Sequence, residues 1–274
     1  MKLAARLFVL ALALLAGLAP ADVVTKVPPY DQFLVVPLRV HVVVSPEYPM
    51  TNTQIKDAEV LRSLAEINAI WSKAGVMFGL DSIVREPAGQ LDRFKLHVRR
   101  TGGQFTNTDP FAMLLPRGPS RAFDGVHLFI VHELSTLNGF YIPAADAALT
   151  VEKPGIRQVE GGSKDALARV AARFLGEAIG LPESRDDEFG LASGGTNGVA
   201  LDEGEIAQVR QVAPTIPGVL KVAGLMKEAD AAIKRKDVET ARRAYTWLTQ
   251  VPGAGTGAAE ARKQLSALPP AAKK

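Results

Sequence analysis

An α/β fold, in the broad sense that includes α+β, is what the sequence predicts, on three observations. Val-rich runs such as FLVVPLRVHVVVS (residues 33–45) have the composition of strands buried on both faces. Two long stretches, one after Thr51 and one after Ser163, carry apolar residues at helical spacing. Segments of both kinds alternate as far as Val212 and give way to Ala-rich helical sequence alone. With 274 residues, 47% hydrophobic and 22% charged, the chain can bury a sizeable core.

The strand at 33–45 leads. The helix behind it sets Ile55, Leu61, Leu64, Ile67 and Trp71 at helical spacing; Thr51 with Gln54 fits a capping box, and Gly75 is a stop. Residues 76–86 and 93–100 (RFKLHVRR) both read as strands. GVHLFIVHEL (125–134) is a stronger one, and NGFYIP and AALTVEK read as short strands around a bend. The second helix is announced by Ser163, built from KDALARVAARFLGEAIG, and ended by Gly180 with Pro182 beyond. DEGEIAQVRQVA (202–213) is a short helix whose acidic first turn suits the dipole. PTIPG (214–218) then breaks the chain, so that a first domain spans 22–213 and three helical pieces occupy 218–268.

The first 21 residues have the pattern of a secretory signal: Lys2 and Arg6, an apolar run over 7–18, and Ala19-Pro20-Ala21 as a cleavage site. The run falls short of the ~20 apolar residues of a membrane span. The expectation is an exported protein, periplasmic or extracellular, with no stable membrane insertion after cleavage. There is no cysteine, hence no disulfide and no thiolate metal site. The formal charge of +3 includes Lys2 and Arg6, so the mature chain is near neutral and its composition gives no argument for nucleic acid.

The stretch RVAARFLGEAIGLPES (169–184), followed by FGLASGGTNG (189–198), resembles the metzincin clan of zinc metallopeptidases. That family carries H-E-x-x-H-x-x-G-x-x-H on a helix and the turn after it, then a Met-containing turn under the metal. Aligned on Gly-Leu-Pro, the motif covers residues 173–183: Arg173 and Glu177 stand at the two helical His positions, Phe174 at the catalytic Glu, Gly180 at the turn Gly, Glu183 at the third ligand, and Leu191 at the Met. The resemblance implies a mixed, twisted sheet over two long helices, and a cleft that holds an extended polypeptide against a sheet edge.

It also implies that the family's chemistry has lost its parts. Zinc needs neutral imidazoles and an open position for water, and a carboxylate must take that water's proton. Arg173 cannot coordinate a metal and Phe174 cannot act as a base. No catalytic residue and no zinc are expected. Glu177 and Glu183 remain as potential ligands, and two carboxylates favour a hard ion such as Ca²⁺ over zinc. Arg173 and Glu177, four apart, with Glu183 across the turn, would form an ion-pair cluster in the metal's place. Periodicity alone gives a blander expectation, in which Arg169, Arg173 and Glu177 form one solvated face.

Elsewhere, HELST (132–136) begins like a zinc motif, but Thr136 stands at the second His and the segment ends a strand. His127 and His132 would face opposite sides of one strand, and His41 and His97 fall in separate strand-like runs. No G-x-S-x-G surrounds any serine. In the tail, Ala229, Asp237, Ala241, Tyr245 and Pro252 resemble a tetratricopeptide unit, with Lys236 where Gly is usual. A unit and a half cannot stand alone, so the tail packs on the first domain or docks a partner; Tyr245 and Trp247, two apart, would then divide between core and surface. The functional expectation is an exported, catalytically inactive peptidase-like protein with a polypeptide ligand. Its alternatives are an active metal-dependent peptidase with a non-standard site and an assembly factor acting through the C-terminal helices.

Overall fold

The computed structural model describes residues 27–105, 107–183, 187–253 and 256–270, so the expected signal sequence lies outside the described residues. The chain forms a mixed sheet with helices on both faces. Its strands are β1 (Leu34–Val43), β2 (Val76–Glu86), β3 (Val126–Val131), β4 (Gly139–Ile142), β5 (Ala147–Val151) and the short β6 (Leu220–Lys221). The spatial order is β2-β1-β3-β5-β4. β1, β2, β3 and β5 run parallel, while β4 lies antiparallel to β5 at the edge.

The helices are α1 (Asp57–Ser72), α2 (Leu91–Thr101), α3 (Ala166–Ala178), α4 (Glu203–Val212), α5 (Val222–Lys234), α6 (Val238–Gln250) and α7 (Thr256–Ala267). Leu34, Val36, Leu38, Val40 and Val42 of β1 share the main core with Ile67 and Trp71 of α1 and with Val170 and Leu175 of α3. Trp71 ties the two helices: its indole N–H donates to Ala172 O at 3.1 Å, and its ring fills the space that a side chain at Gly176 would need. β1, buried throughout except at Arg39, is the two-sided strand its composition predicts.

The opposite face meets two different partners, with a polar row of its own residues between them. At its start, Phe33, Val35 and Met77 join a second apolar cluster with α5, α6 and Ala261 of α7. At the other end Phe94 of α2 packs among Phe105, Phe111 and Tyr48. The polar row holds Arg39, His41 and His127.

Several local expectations are corrected. Residues 93–100 are helical, not a strand, because Leu91, Phe94 and Val98 turn one face to the aromatic cluster. α1 starts at Asp57, where Glu59 accepts the Lys56 N–H at 3.0 Å, so Thr51 and Gln54 are not its cap. α3 starts two residues beyond Lys164 on Asp165, whose Oδ1 accepts Ala168 N–H at 2.9 Å; Ser163 lies outside it. In the tail, Tyr245 and Trp247 are both buried. The Tyr245 hydroxyl donates to Asp230 at 2.7 Å within the helical pair, while Trp247 lies against Gly79 of the sheet and donates to Leu80 O at 2.9 Å. Lys236 has a φ of 63°, the left-handed geometry for which Gly is the usual choice. β6 pairs with Leu34 and Val35, so residues after the Pro-rich break return to the first sheet.

Candidate functional site

α3 carries Arg169, Arg173 and Glu177 at successive intervals of four, a single stripe along one helical face. This stripe is not solvated, which overturns the expectation from periodicity. Arg169 is 1% exposed, and the side chains of Arg173 and Glu177 are 17% and 9% exposed. What covers them is the segment after α3, whose described residues form no helix or strand and supply backbone carbonyls.

Arg169 binds that segment at three points: Nε donates to Gly198 O at 3.1 Å, and Nη2 donates to Gly190 O at 3.2 Å and Ser193 O at 2.5 Å. Burial, with Arg173 adding to it, pushes the guanidinium pKa down to about 10, so it remains charged at neutral pH. One turn on, Arg173 Nε donates to Glu177 Oε1 at 3.2 Å, its Nη2 donates to Glu183 O at 2.6 Å, and its Cζ stands 5.1 Å from the centre of the Phe174 ring. The expected cluster therefore forms in part: Arg173 meets the Glu177 carboxylate, but Glu183 offers its main-chain oxygen. Burial raises the Glu177 carboxyl to about 7 against the opposing pull of Arg173.

The remaining positions are spatially close to this stripe. Gly180 has φ 103°, and a β-carbon there would lie 2.6 Å from Val212 Cβ, so the turn that joins α3 to α4 requires Gly. Leu191 is fully buried and donates its N–H to Ala200 O at 2.8 Å. Phe174 reaches the edge strand, where a β-carbon on Gly139 would lie 2.9 Å from its ring. Tyr141 of β4 donates to Asp146 at 2.8 Å, and its pKa is raised by burial and by Asp146, with a further contribution from Glu177.

No known family profile matches the chain, and no curated protein matches it. The geometry must therefore speak for the site. A guanidinium, a benzyl ring, one buried carboxyl and a backbone carbonyl do not make the donor set of a zinc ion. Among the described residues no group of three or more His, Asp or Glu side chains converges as a metal site would.

Sequence reasoning missed a second polar cluster. His41 Nδ1 lies 2.5 Å from Glu86 Oε1, His41 Nε2 lies 2.8 Å from His127 Nδ1, and the Ser120 hydroxyl donates to Glu86 Oε2 at 2.8 Å. With Glu86 as acceptor and both rings kept neutral by burial, each imidazole carries its proton on Nδ1. Burial, reinforced by Arg121, His41 and Arg39, holds His127 down to about 3; burial also lowers His41, though Glu86 opposes it. His132 is apart from this cluster, with Nδ1 at 2.6 Å from Glu152, and His97 lies on α2.

An open depression of about 1160 Å³ is elsewhere again. It lies between α1 and the start of α3, lined by Glu59, Arg62, Glu66, Glu152, Lys153 and Lys164. From the start of α3 to Glu177 is roughly 16 Å at ~1.5 Å per residue, so this depression and the Arg173 stripe are separate features.

Proposed function

We propose that this protein is an exported, catalytically inactive relative of metallopeptidases that binds an extended polypeptide along the β4 edge. The observation that carries this reading is the seat of Arg173. Its guanidinium pairs with Glu177 Oε1 on the same helix and ties α3 to the following turn through Glu183 O, at the position where the resemblance puts a metal ion. Arg169 adds three more helix-to-turn bonds of the same type. A metal that holds a turn onto a helix is thus replaced by two cations whose acceptors are mostly carbonyls. Such an arrangement keeps the shape of the scaffold, and it lacks an activated water and a base at the Phe174 position.

The sheet edge supports the binding half of the proposal. β4 is antiparallel, pairs only with β5 among the described strands, and lies beside α3 at the Gly139–Phe174 contact. The outer edge of a strand offers main-chain donors and acceptors to an incoming chain irrespective of its sequence. The element order behind the resemblance is kept, save for α2. The tail favours a structural role within the chain, since Trp247 and Tyr245 both face inward.

The deciding experiment uses the mature protein and a reduced, carboxymethylated unfolded polypeptide as probe. Binding without cleavage, with hydrogen exchange slowed at residues 139–142 on addition of the probe, is the expected result. Stoichiometric zinc together with hydrolysis of the probe would overturn it. N-terminal sequencing of the exported form should begin at Asp22.

A further inference from the structure

The sheet face opposite α1 and α3 ends in α2, and α2 is electrically unlike the rest of the chain. Its eleven residues include Arg93, Lys95, Arg99 and Arg100 against the single carboxylate of Asp92, a net +3. The whole chain also carries +3, so everything outside this helix sums to zero. Among the described residues none of the four cations makes an ion pair: Arg93 donates to the Gln90 side chain at 2.6 Å, and Lys95 lies 5.6 Å from the centre of the Tyr48 ring.

Helix-dipole stabilisation accounts for Arg99 and Arg100 in the last turn, and it disfavours Arg93 in the first. The placement has a different common feature. Leu91 and Phe94 anchor the inner side, while Arg93, Leu96, Arg99 and Arg100 are all exposed. Spacings of three, four and seven put these four on one outward face, with Leu96, 46% exposed, among the arginines. Exposed leucines occur singly elsewhere, Leu61 of α1 among them, so it is the arginines around Leu96 that set this face apart. On an anionic bilayer such guanidinium groups bind the phosphates, and an apolar side chain among them sinks below that level.

We propose that α2 is a peripheral docking surface for anionic phospholipid, held by Arg93, Arg99 and Arg100 with Leu96 dipping into the interface. An acidic polypeptide would answer to the same charge and not to the leucine, which is why lipid is the occupant the surface favours. With one exposed apolar residue, the attachment is electrostatic, reversible and salt-sensitive.

The test is co-sedimentation of the full mature chain with phosphatidylglycerol–phosphatidylcholine vesicles, against vesicles of phosphatidylcholine alone, at low salt. Binding to the first and not the second is expected, with release when salt is raised. R93Q/R99Q/R100Q should bind on the order of a hundredfold more weakly, at about fivefold per arginine. Leu96→Ala should weaken binding severalfold, and both variants should keep the wild-type thermal midpoint, since the altered side chains are on the surface. Salt-insensitive binding by the wild type, unchanged binding by either variant, or binding to polyglutamate as tight as to the anionic vesicles would each overturn the proposal. The salt and polyglutamate arms need no variant and hold even where a substitution disturbs folding.

Discussion

Glu177→Gln tests the electrostatics of the α3 stripe most directly. Burial raises this carboxyl to about 7 from an ordinary value of 4.5. The folded protein therefore holds a proton that the unfolded chain has released over that whole interval, and stability falls as pH rises through it. At ~1.4 kcal/mol per pH unit, the loss from pH 4.5 to neutrality is about 3 kcal/mol. The side chain is only 9% exposed, so little of this is screened by solvent. Gln has nearly the same shape, retains a carbonyl oxygen for Arg173 Nε, and does not titrate. Urea unfolding of both proteins at intervals between pH 4.5 and pH 8 should give a difference that grows with pH, the variant gaining on the wild type by about 2–3 kcal/mol at the upper end. All other titrating groups are common to the two proteins and cancel. A difference that stays constant across the range would show that Arg173 neutralises the burial penalty, and that the Glu177 carboxyl is not poised near neutrality.

Other expectations follow from single contacts. Trp247→Ala removes a ring seated on Gly79 and a hydrogen bond to Leu80 O; it should cost about 3–5 kcal/mol in urea unfolding and expose the tail to limited proteolysis before the rest. Arg169→Lys keeps the charge but loses the fork that reaches Gly190, Ser193 and Gly198; a loss of ~2 kcal/mol and faster hydrogen exchange in residues 190–198 are expected. The short His41–Glu86 contact should give a far-downfield, exchange-protected imidazole proton in NMR spectra, present in the wild type and absent from Glu86→Leu.

The main strands and the two long helices were legible because their signals are local and repeated. Residues 91–101 show where that kind of signal divides. Phe94, Leu96 and Val98 alternate as a strand would, while Leu91, Phe94 and Val98 recur as a helix would, and both patterns share two of their three residues. The choice lies with Phe105 and Phe111, which pack on Phe94 and leave Leu96 outside. Nothing within the eleven residues themselves encodes that partner.

The same limit applied to the polar clusters, for a stronger reason. His41 and His127 meet across neighbouring strands, and their partner Glu86 ends a third, so no spacing in the sequence announces them. Arg169 is harder still. Its acceptors are main-chain carbonyls, which every residue has, and a buried guanidinium satisfied by carbonyls leaves no compositional trace. The stripe of Arg169, Arg173 and Glu177 was visible at the spacing of a solvated helical face, and the sequence of the following loop, rich in Gly and polar residues, gave no apolar signal that it would close over them. Pattern rules assume that charge faces water. In this protein the loop's own backbone replaces the water, and that substitution lets the helix keep one buried and one half-buried guanidinium at the place where the proposed relation to metallopeptidases would put an ion.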